Sequence, residues 1–189
     1  QGLATFSLGT DTAGSGRIPA AFNHLVGLKP SLGAVSTRGV VPACRTLDCV
    51  SIFALDVADA TAVFEVIARL DAADPYSRVV PQTLAPPRRV AVPREEDLLF
   101  FGDAAMEAAW HRAVRGLRDA VPEGAEIDMR PFFAVARLLY EGPWVAERRA
   151  VVGSMVDERP DALHPVTLRI LRGADRFTAV DTFKAFYDL

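Results

Sequence analysis

The sequence has few of the features that mark membrane, secreted or nucleic-acid-binding proteins. No apolar run among its 189 residues approaches the roughly 20 residues that a bilayer-spanning helix needs. The formal net charge is -3, and apart from Lys29 and Lys184 the basic residues are scattered arginines. We therefore expect neither nucleic acid nor a membrane surface as a partner. No secretory signal precedes the first strand, so we expect a cytoplasmic protein.

Cysteine is also scarce, since Cys44 and Cys49 are the only two. A metal site would need further ligands, and His24 is the only candidate close in sequence. A disulfide would be typical of an exported protein. We therefore expect two reduced, partly buried thiols, no metal centre and no cofactor.

The composition itself is that of an ordinary globular protein, 50% hydrophobic and 24% charged, with enough length to bury a core. The sequence begins at Gln1, close to a predicted strand, and stops at a predicted helix. These two ends lead us to expect a fragment of a larger domain.

The order of segments in residues 1–130 predicts an α/β fold with a mixed, largely parallel sheet flanked by helices. Asp56 is placed to cap a helix, and residues 27–31 and Gly33 have turn chemistry. The predicted strands are residues 3–8, 49–55, 89–93 and 126–129, the predicted helices are 19–22, 57–70 and 103–119, and residues 71–87 are a predicted loop.

The pattern after Pro131 predicts helices only, which makes residues 131–189 a helical C-terminal part. Thr178 and Asp181 resemble a capping box at the start of the last helix. The four predicted helices are residues 132–140, 143–157, 165–172 and 178–189.

A glycine-rich stretch, Gly9-Thr-Asp-Thr-Ala-Gly-Ser-Gly-Arg17, carries most of the chemistry. Glycines allow tight turns, and consecutive backbone N–H groups in a turn can form an anion-binding concavity. A serine held there has oxyanion donors beside its hydroxyl. Ser15 is therefore a candidate nucleophile.

Three other interpretations of this stretch compete with that one. A Walker phosphate loop requires a lysine after Gly14, where Ser15 stands. A nucleophile elbow requires glycines at the positions of Ala13 and Arg17. An ordinary strand–turn–helix connection requires no particular residue, and the residues alone leave that interpretation open.

The same stretch, with His24-Leu-Val-Gly-Leu-Lys-Pro-Ser31 and Ser36-Thr-Arg-Gly-Val-Val-Pro42 after it, resembles the amidase signature family. Within that family, the variant found here and the segment 41–53 are most similar to the allophanate hydrolases. The resemblance runs from about Leu3 to the end of the chain. It implies that residues 1–189 are a fragment of a single amidase domain with a partial amidase signature fold.

The resemblance implies a site built on this loop. Ser15 would be the acyl-accepting nucleophile, and the backbone N–H groups of Thr12, Ala13, Gly14 and Ser15 would form the oxyanion hole. The family uses a Ser–Ser–Lys triad whose second serine and lysine lie upstream, in segments that this sequence does not contain. We therefore expect the isolated chain to be inactive.

Other candidate bases have little support. The lysine matching Lys29 is not the catalytic one in this family, and hydrogen bonding to loop carbonyls is its alternative role. His24, His111 and His164 have no motif context and are expected to be structural or solvent-facing.

Three further positions have two interpretations each. Arg17 is either a ligand for a substrate carboxylate or, as the family favours, a structural partner of Asp11. Tyr140 and Arg148 match residues that bind the substrate carboxylate in allophanate hydrolases. From the residues alone they are a core-edge tyrosine and a solvated arginine.

The implied reaction is hydrolysis of the small amide allophanate to ammonia and carbon dioxide in urea degradation. The family works without a metal, and a biotin-dependent urea carboxylase supplies the substrate. Dimers are common in the family, so a homodimer is expected. Two alternatives stay open: another amidase signature enzyme, such as an aliphatic amidase or an amidotransferase glutaminase subunit, and a non-catalytic module that keeps the fold.

Overall fold

A computed structural model describes residues 4–81 and 88–189. Within this part the chain divides into two units. The first comprises residues 4–81 and 143–182, and the second comprises residues 88–142 and 183–189. Each unit has its own small sheet and helices.

The first unit is built on a three-stranded sheet in the order β1-β3-β2. Its strands are β1 (Phe6–Asp11), β2 (Val26–Leu28) and β3 (Cys49–Ala54). The central strand, β3, is antiparallel to both neighbours. It lies in the middle because its apolar residues are buried, with Ile52 fully inaccessible.

Helix α2 (Val57–Ile67) covers this sheet. Its first turn begins at Asp56, whose side chain accepts a hydrogen bond from the Asp59 N–H at 2.8 Å, as the sequence predicts. Its apolar side packs with the sheet into one core, made of Ile52, Ala54 and Ala60 with Val26, Leu28, Val63, Phe64 and Ile67 around them.

The other helices of the first unit are α1 (Arg17–Phe22), α5 (Val145–Glu158) and α6 (Pro165–Arg172). The last helix, α7 (Ala179–Asp188), follows a capping box in which Thr178 N–H donates to the Asp181 carboxylate and Asp181 N–H donates back to the Thr178 hydroxyl. The predicted helices after Pro131 are therefore confirmed, within one to two residues at their ends.

The second unit contains a parallel pair, β4 (Val90–Pro93) and β5 (Gly124–Ile127), joined through helix α3 (Ala104–Ala120). Asp103 caps α3 by accepting from the N–H groups of Ala105 and Met106. Helix α4 (Arg130–Glu141) follows β5.

The mixed α/β class is confirmed, but the expected strand directions need correction. Among the described residues only β4 and β5 pair in parallel, whereas β1, β3 and β2 are antiparallel. The predicted turn at residues 27–31 is wrong in its first part, because Gly27 and Leu28 belong to β2.

The first strand also differs from its prediction. It runs to Asp11 rather than Leu8, because Gly9, Thr10 and Asp11 continue the ladder opposite β3. Leu3, the first residue of the predicted strand, and residues 82–87 of the predicted loop lie outside the described residues.

Candidate active site

A short loop, residues 12–16, connects the end of β1 to α1 and is held by the carboxylate of Asp11. Asp11 is fully buried. Its oxygens accept hydrogen bonds from the Gly14 N–H at 2.6 Å, the Arg17 N–H at 3.2 Å, and the Arg17 Nε and Nη2 atoms at 2.9 and 3.1 Å. One carboxylate therefore fixes both ends of the loop.

These contacts set the charge state of Asp11. Burial on its own raises the pKa of the carboxyl group, but the hydrogen bonds from the Arg17 guanidinium and the Gly14 N–H outweigh it and lower the pKa to about 2. Asp11 is therefore an anion at neutral pH, and the pairing predicted between Arg17 and Asp11 is observed.

The loop follows a path that suits its glycines. Gly14 has φ +124°, a conformation that L side chains rarely adopt. A Cβ on Gly16 would lie 2.7 Å from the Cβ of Ser51. The loop therefore packs directly against the central strand.

Ser15 lies between these two glycines, and its residue is exposed while Gly14 and Gly16 are buried. The Ile18 N–H donates to the Gly14 carbonyl at 2.8 Å, which closes the first turn after it. A serine hydroxyl presented in this way is open to a small molecule from solvent.

The four expected oxyanion donors differ in their engagement. The Gly14 N–H already donates to Asp11. Within residues 4–81 and 88–189, the N–H groups of Thr12, Ala13 and Ser15 donate to no acceptor. Of the four expected donors, three therefore have no other acceptor in the described part of the chain, whereas the Gly14 N–H has one.

Sequence reasoning missed a second buried carboxylate at this loop, that of Asp48. It accepts a hydrogen bond from the Thr12 hydroxyl, and its oxygens also accept from the N–H groups of Ala43 at 2.9 Å and Cys44 at 3.1 Å. The signal in the sequence was an acidic residue directly before a buried apolar strand.

Glu147, in the first turn of α5, is the third carboxylate of this region, and like Asp48 it was not predicted from the sequence. It accepts from the Thr46 N–H at 2.7 Å, the Thr46 hydroxyl at 2.8 Å and the Cys44 thiol at 2.9 Å. Burial, and then the hydrogen bond to Glu147, raise the pKa of the Cys44 thiol to about 12. Cys44 and Cys49 are both free and buried.

The two expected substrate ligands lie in different units. Tyr140, near the end of α4, belongs to the second unit and is 61% exposed. Arg148 is half-buried in α5 of the first unit. Its positive charge acts on the Cys44 thiol and lowers the pKa of that group, against the larger opposite effect of burial.

An open cavity of about 210 Å³ adjoins the Asp48 side of this region. Two cations, Arg38 and Arg45, line it together with Asp48 and Tyr76. Arg38 is paired with Asp71 at 2.8 Å. The cavity has room for a small polar molecule.

The remaining candidates have other surroundings. Lys29 donates to the Pro30 carbonyl at 2.7 Å, His24 is exposed, and His164 caps α6 by accepting from the Val166 N–H at 3.3 Å. In the second unit, the Nε2 of His111 lies 3.5 Å from the Oε1 of Glu95.

His111 also belongs to the group most like a metal site in the described part of the chain. His111, Glu95 and Glu107 offer three ligand atoms within 4.8 Å of one another. Both glutamates are exposed, and exposed carboxylates often meet without a cation. The group belongs to the second unit, whereas the glycine loop belongs to the first.

Comparison with known proteins identifies the family to which this loop and the sheet behind it belong. A model of the family described as Amidase matches residues 1–183. The chain belongs to the amidase family. Its fold is the mixed α/β fold of the solved members.

The relatives point to one group within the family. The chain is 41% identical over 196 residues to urea amidolyase of Saccharomyces cerevisiae, a match that covers 99% of this chain and 10% of the relative. It is also 41% identical to a solved allophanate hydrolase of Kluyveromyces lactis, with a TM-score of 0.89 over 98% of this chain and 31% of that one.

A more distant relative belongs to another branch. A glutamyl-tRNA(Gln) amidotransferase component from Heliobacterium modesticaldum is 39% identical over 139 residues, which cover 68% of this chain and 28% of the relative. The chain thus spans about a tenth of the first curated relative and about a third of the solved one. No helix in the described part is both long and apolar enough to cross a membrane.

Proposed function

We propose that this chain supplies the nucleophile and oxyanion donors of an amidohydrolase that acts on allophanate. The observation that carries the proposal is the exposed Ser15 on a loop held by the buried carboxylate of Asp11. An amide is a poor electrophile, so its hydrolysis needs a positioned nucleophile and stabilisation of the oxyanion. The match to allophanate hydrolase over nearly the whole chain supports the substrate.

In this proposal the Ser15 Oγ attacks the amide carbonyl carbon, and the carbonyl oxygen becomes negatively charged. The N–H groups of Thr12, Ala13 and Ser15 lie in the loop that would stabilise that charge. The C–N bond then breaks, ammonia leaves with the proton given up by the serine, and water releases the acyl group. In the family a second serine and a lysine move the proton, and the matching segments are not among these 189 residues.

The substrate carboxylate requires a cation and a hydroxyl donor, and we assign these roles to Arg148 and Tyr140. A guanidinium binds a carboxylate through two parallel hydrogen bonds. Arg17 is less suited to this role because its Nε and Nη2 atoms already donate to Asp11. We also propose a cytoplasmic homodimer that works with the urea carboxylase that forms allophanate, as the family resemblance implies.

The test uses the full-length protein that contains this chain. We expect it to release ammonia from allophanate, and Ser15→Ala to lower kcat/KM about 10³-fold or more, while Ser31→Ala, another exposed serine, has no such effect. Arg148→Ala should raise KM for allophanate by about 10-fold to 100-fold, since a charged hydrogen bond is lost, with Arg169→Ala on the exposed side of α6 as control. An unchanged KM in Arg148→Ala would rule out its assignment.

The match to an amidotransferase component favours glutamine as a second candidate substrate. Allophanate and glutamine are compared in the same assay. Faster turnover of glutamine would reject the proposed substrate and keep the proposed nucleophile, whereas retained activity in Ser15→Ala would reject the nucleophile.

A further inference from the structure

The loop of residues 43–48 connects two parts of the candidate site that are far apart in sequence. At one end Asp48 accepts from the hydroxyl of Thr12, 36 positions earlier. At the other end Cys44 and Thr46 donate to Glu147, about a hundred positions later. All of these residues belong to the first unit.

The contact at Asp48 is built from several hydrogen bonds to one buried carboxylate. Asp48 is 6% exposed, and it accepts from the Thr12 hydroxyl and from the N–H groups of Ala43 and Cys44. The turn is closed a second time by the N–H groups of Leu47 and Asp48, which both donate to the Cys44 carbonyl at 2.8 Å. Thr12 is therefore attached to a fixed turn through its side chain.

The contact at Glu147 fixes the start of α5 to the same turn. Its two oxygens accept three hydrogen bonds from Cys44 and Thr46, and Cys44 has no exposed surface. Arg148 is the next residue along the helix. A carboxylate anchored in this way sets the position and rotation of the first turn of α5, and with them the position of the adjacent guanidinium.

We propose that Asp48 and Glu147 are positioning residues that, through the 43–48 loop, hold two parts of the site in fixed positions relative to each other. Asp48 positions Thr12, whose N–H is one of the three remaining oxyanion donors, and Glu147 positions Arg148. The inference rests on the proposed function. It assigns different kinetic consequences to the two ends of one loop, because an oxyanion donor acts in the transition state and a carboxylate ligand acts already in substrate binding.

The first arm of the test concerns the Thr12–Asp48 contact in the full-length protein. Thr12→Val removes the hydroxyl and should lower kcat about 10-fold with little change in KM, because misplaced donors weaken transition-state stabilisation. Thr12→Ser restores the hydroxyl and should recover most of that loss. Asp48→Asn should behave like Thr12→Val, and the double variant should lose little more than either one.

The second arm concerns Glu147. Glu147→Ala should raise KM for allophanate at least about 5-fold and change kcat less. Glu147→Gln keeps one carbonyl oxygen for the Thr46 N–H and should have an intermediate effect. The matched control is Glu158→Ala, an exposed glutamate at the other end of α5, which should leave both constants unchanged.

Each outcome decides the inference. Thermal unfolding of every variant shows whether it is folded, and if Asp48→Asn is not, the comparison of Thr12→Val with Thr12→Ser decides on its own. No recovery in Thr12→Ser, additive losses in the double variant, or equal effects of Glu147→Ala and Glu158→Ala would overturn it. If the wild type hydrolyses another amide instead of allophanate, the proposed substrate is wrong, and the kcat pattern at Thr12 and Asp48, measured with that amide, still tests the link.

Discussion

Single residues hold the loop of residues 12–16, and Asp11 is the most important of them. The carboxylate replaces water with four protein donors. This compensation is what makes burial of a charge tolerable, because an unpaired buried carboxylate would be protonated or would destabilise the fold. Ser15 itself makes no comparable contribution to the loop.

The lowered pKa of Asp11 predicts an acid-sensitive contribution to stability. The pKa falls from 3.8 to about 2 on folding, so the stabilisation is complete above the unfolded value and is lost as the pH falls through about 2. At neutral pH it amounts to about 2 kcal/mol, taken at the low end because Arg17 is half exposed.

The measurement is the free energy of unfolding of the wild type minus that of Asp11→Asn, from urea titrations between pH 7 and pH 2. The difference should be constant down to about pH 5 and shrink towards pH 2. A difference that does not depend on pH would show that the charge of Asp11 does not stabilise the loop. Asp161→Asn, at an exposed aspartate of the same unit, serves as the control.

The residues of the loop could be named from the sequence, whereas its supports could not. The Asp11–Arg17 pair lies within six positions, and a short glycine-rich segment makes such a pairing visible. Asp48 and Glu147 act on partners 36 and about a hundred positions away. The position of Asp48 directly before a buried apolar strand is a local signal, but it does not reveal the partner, and nothing local distinguishes Glu147 from a surface carboxylate.

Among the elements, β2 and α1 approach each other unusually closely. A Cβ on Gly27 would lie 2.7 Å from the Gly16 carbonyl oxygen, 2.8 Å from the Ala20 Cβ and 3.0 Å from the Arg17 Cα. Two of these atoms are backbone and cannot turn away. The closeness of this strand and helix therefore depends on a glycine at position 27.

Gly27→Ala should destabilise the protein by about 1–3 kcal/mol, as expected for overpacking. It should also lower activity by moving α1 and the loop before it. Gly116→Ala is the matched control, since no atom lies within 4 Å of a Cβ there. In the interior of α3 that change should stabilise by about 0.5–1 kcal/mol. Shifts of the same sign for both variants, in thermal unfolding, would contradict the packing argument.

The elements also show where sequence patterns stop being informative. Helices α2, α3 and α6 could be placed closely from apolar spacing and capping residues. Strand direction could not, because an alternation of strands and helices favours parallel pairing, whereas β1 and β2 both pair antiparallel to β3. A three-residue strand such as β2 has too little pattern to be separated from a turn.

At the scale of the whole molecule, these residues correspond to only a small part of an amidase. The chain spans 31% of the solved allophanate hydrolase that it matches. The resemblance to the family implies a proton relay formed by a second serine and a lysine in segments that are not among these residues. A serine hydroxyl without a base is a weak nucleophile at neutral pH.

We therefore expect the 189-residue chain, expressed alone, to release no measurable ammonia from allophanate, while the full-length protein does. The two are compared at equal molar concentration after circular dichroism has shown that the short chain is folded. Turnover by the short chain that disappears in its Ser15→Ala variant would mean that a base is present within these residues, and would refute the expectation.

The Cys44 thiol has a practical consequence for studying this protein. A thiol with a pKa of about 12 and no exposed surface is almost entirely protonated at neutral pH, so it resists alkylating and oxidising reagents. Burial contributes most to the raised pKa of this thiol, and the hydrogen bond to Glu147 adds to it. The rate at which a small maleimide or iodoacetamide labels Cys44 should therefore report how often the 43–48 loop opens and exposes the thiol to solvent. The measurement needs no substrate.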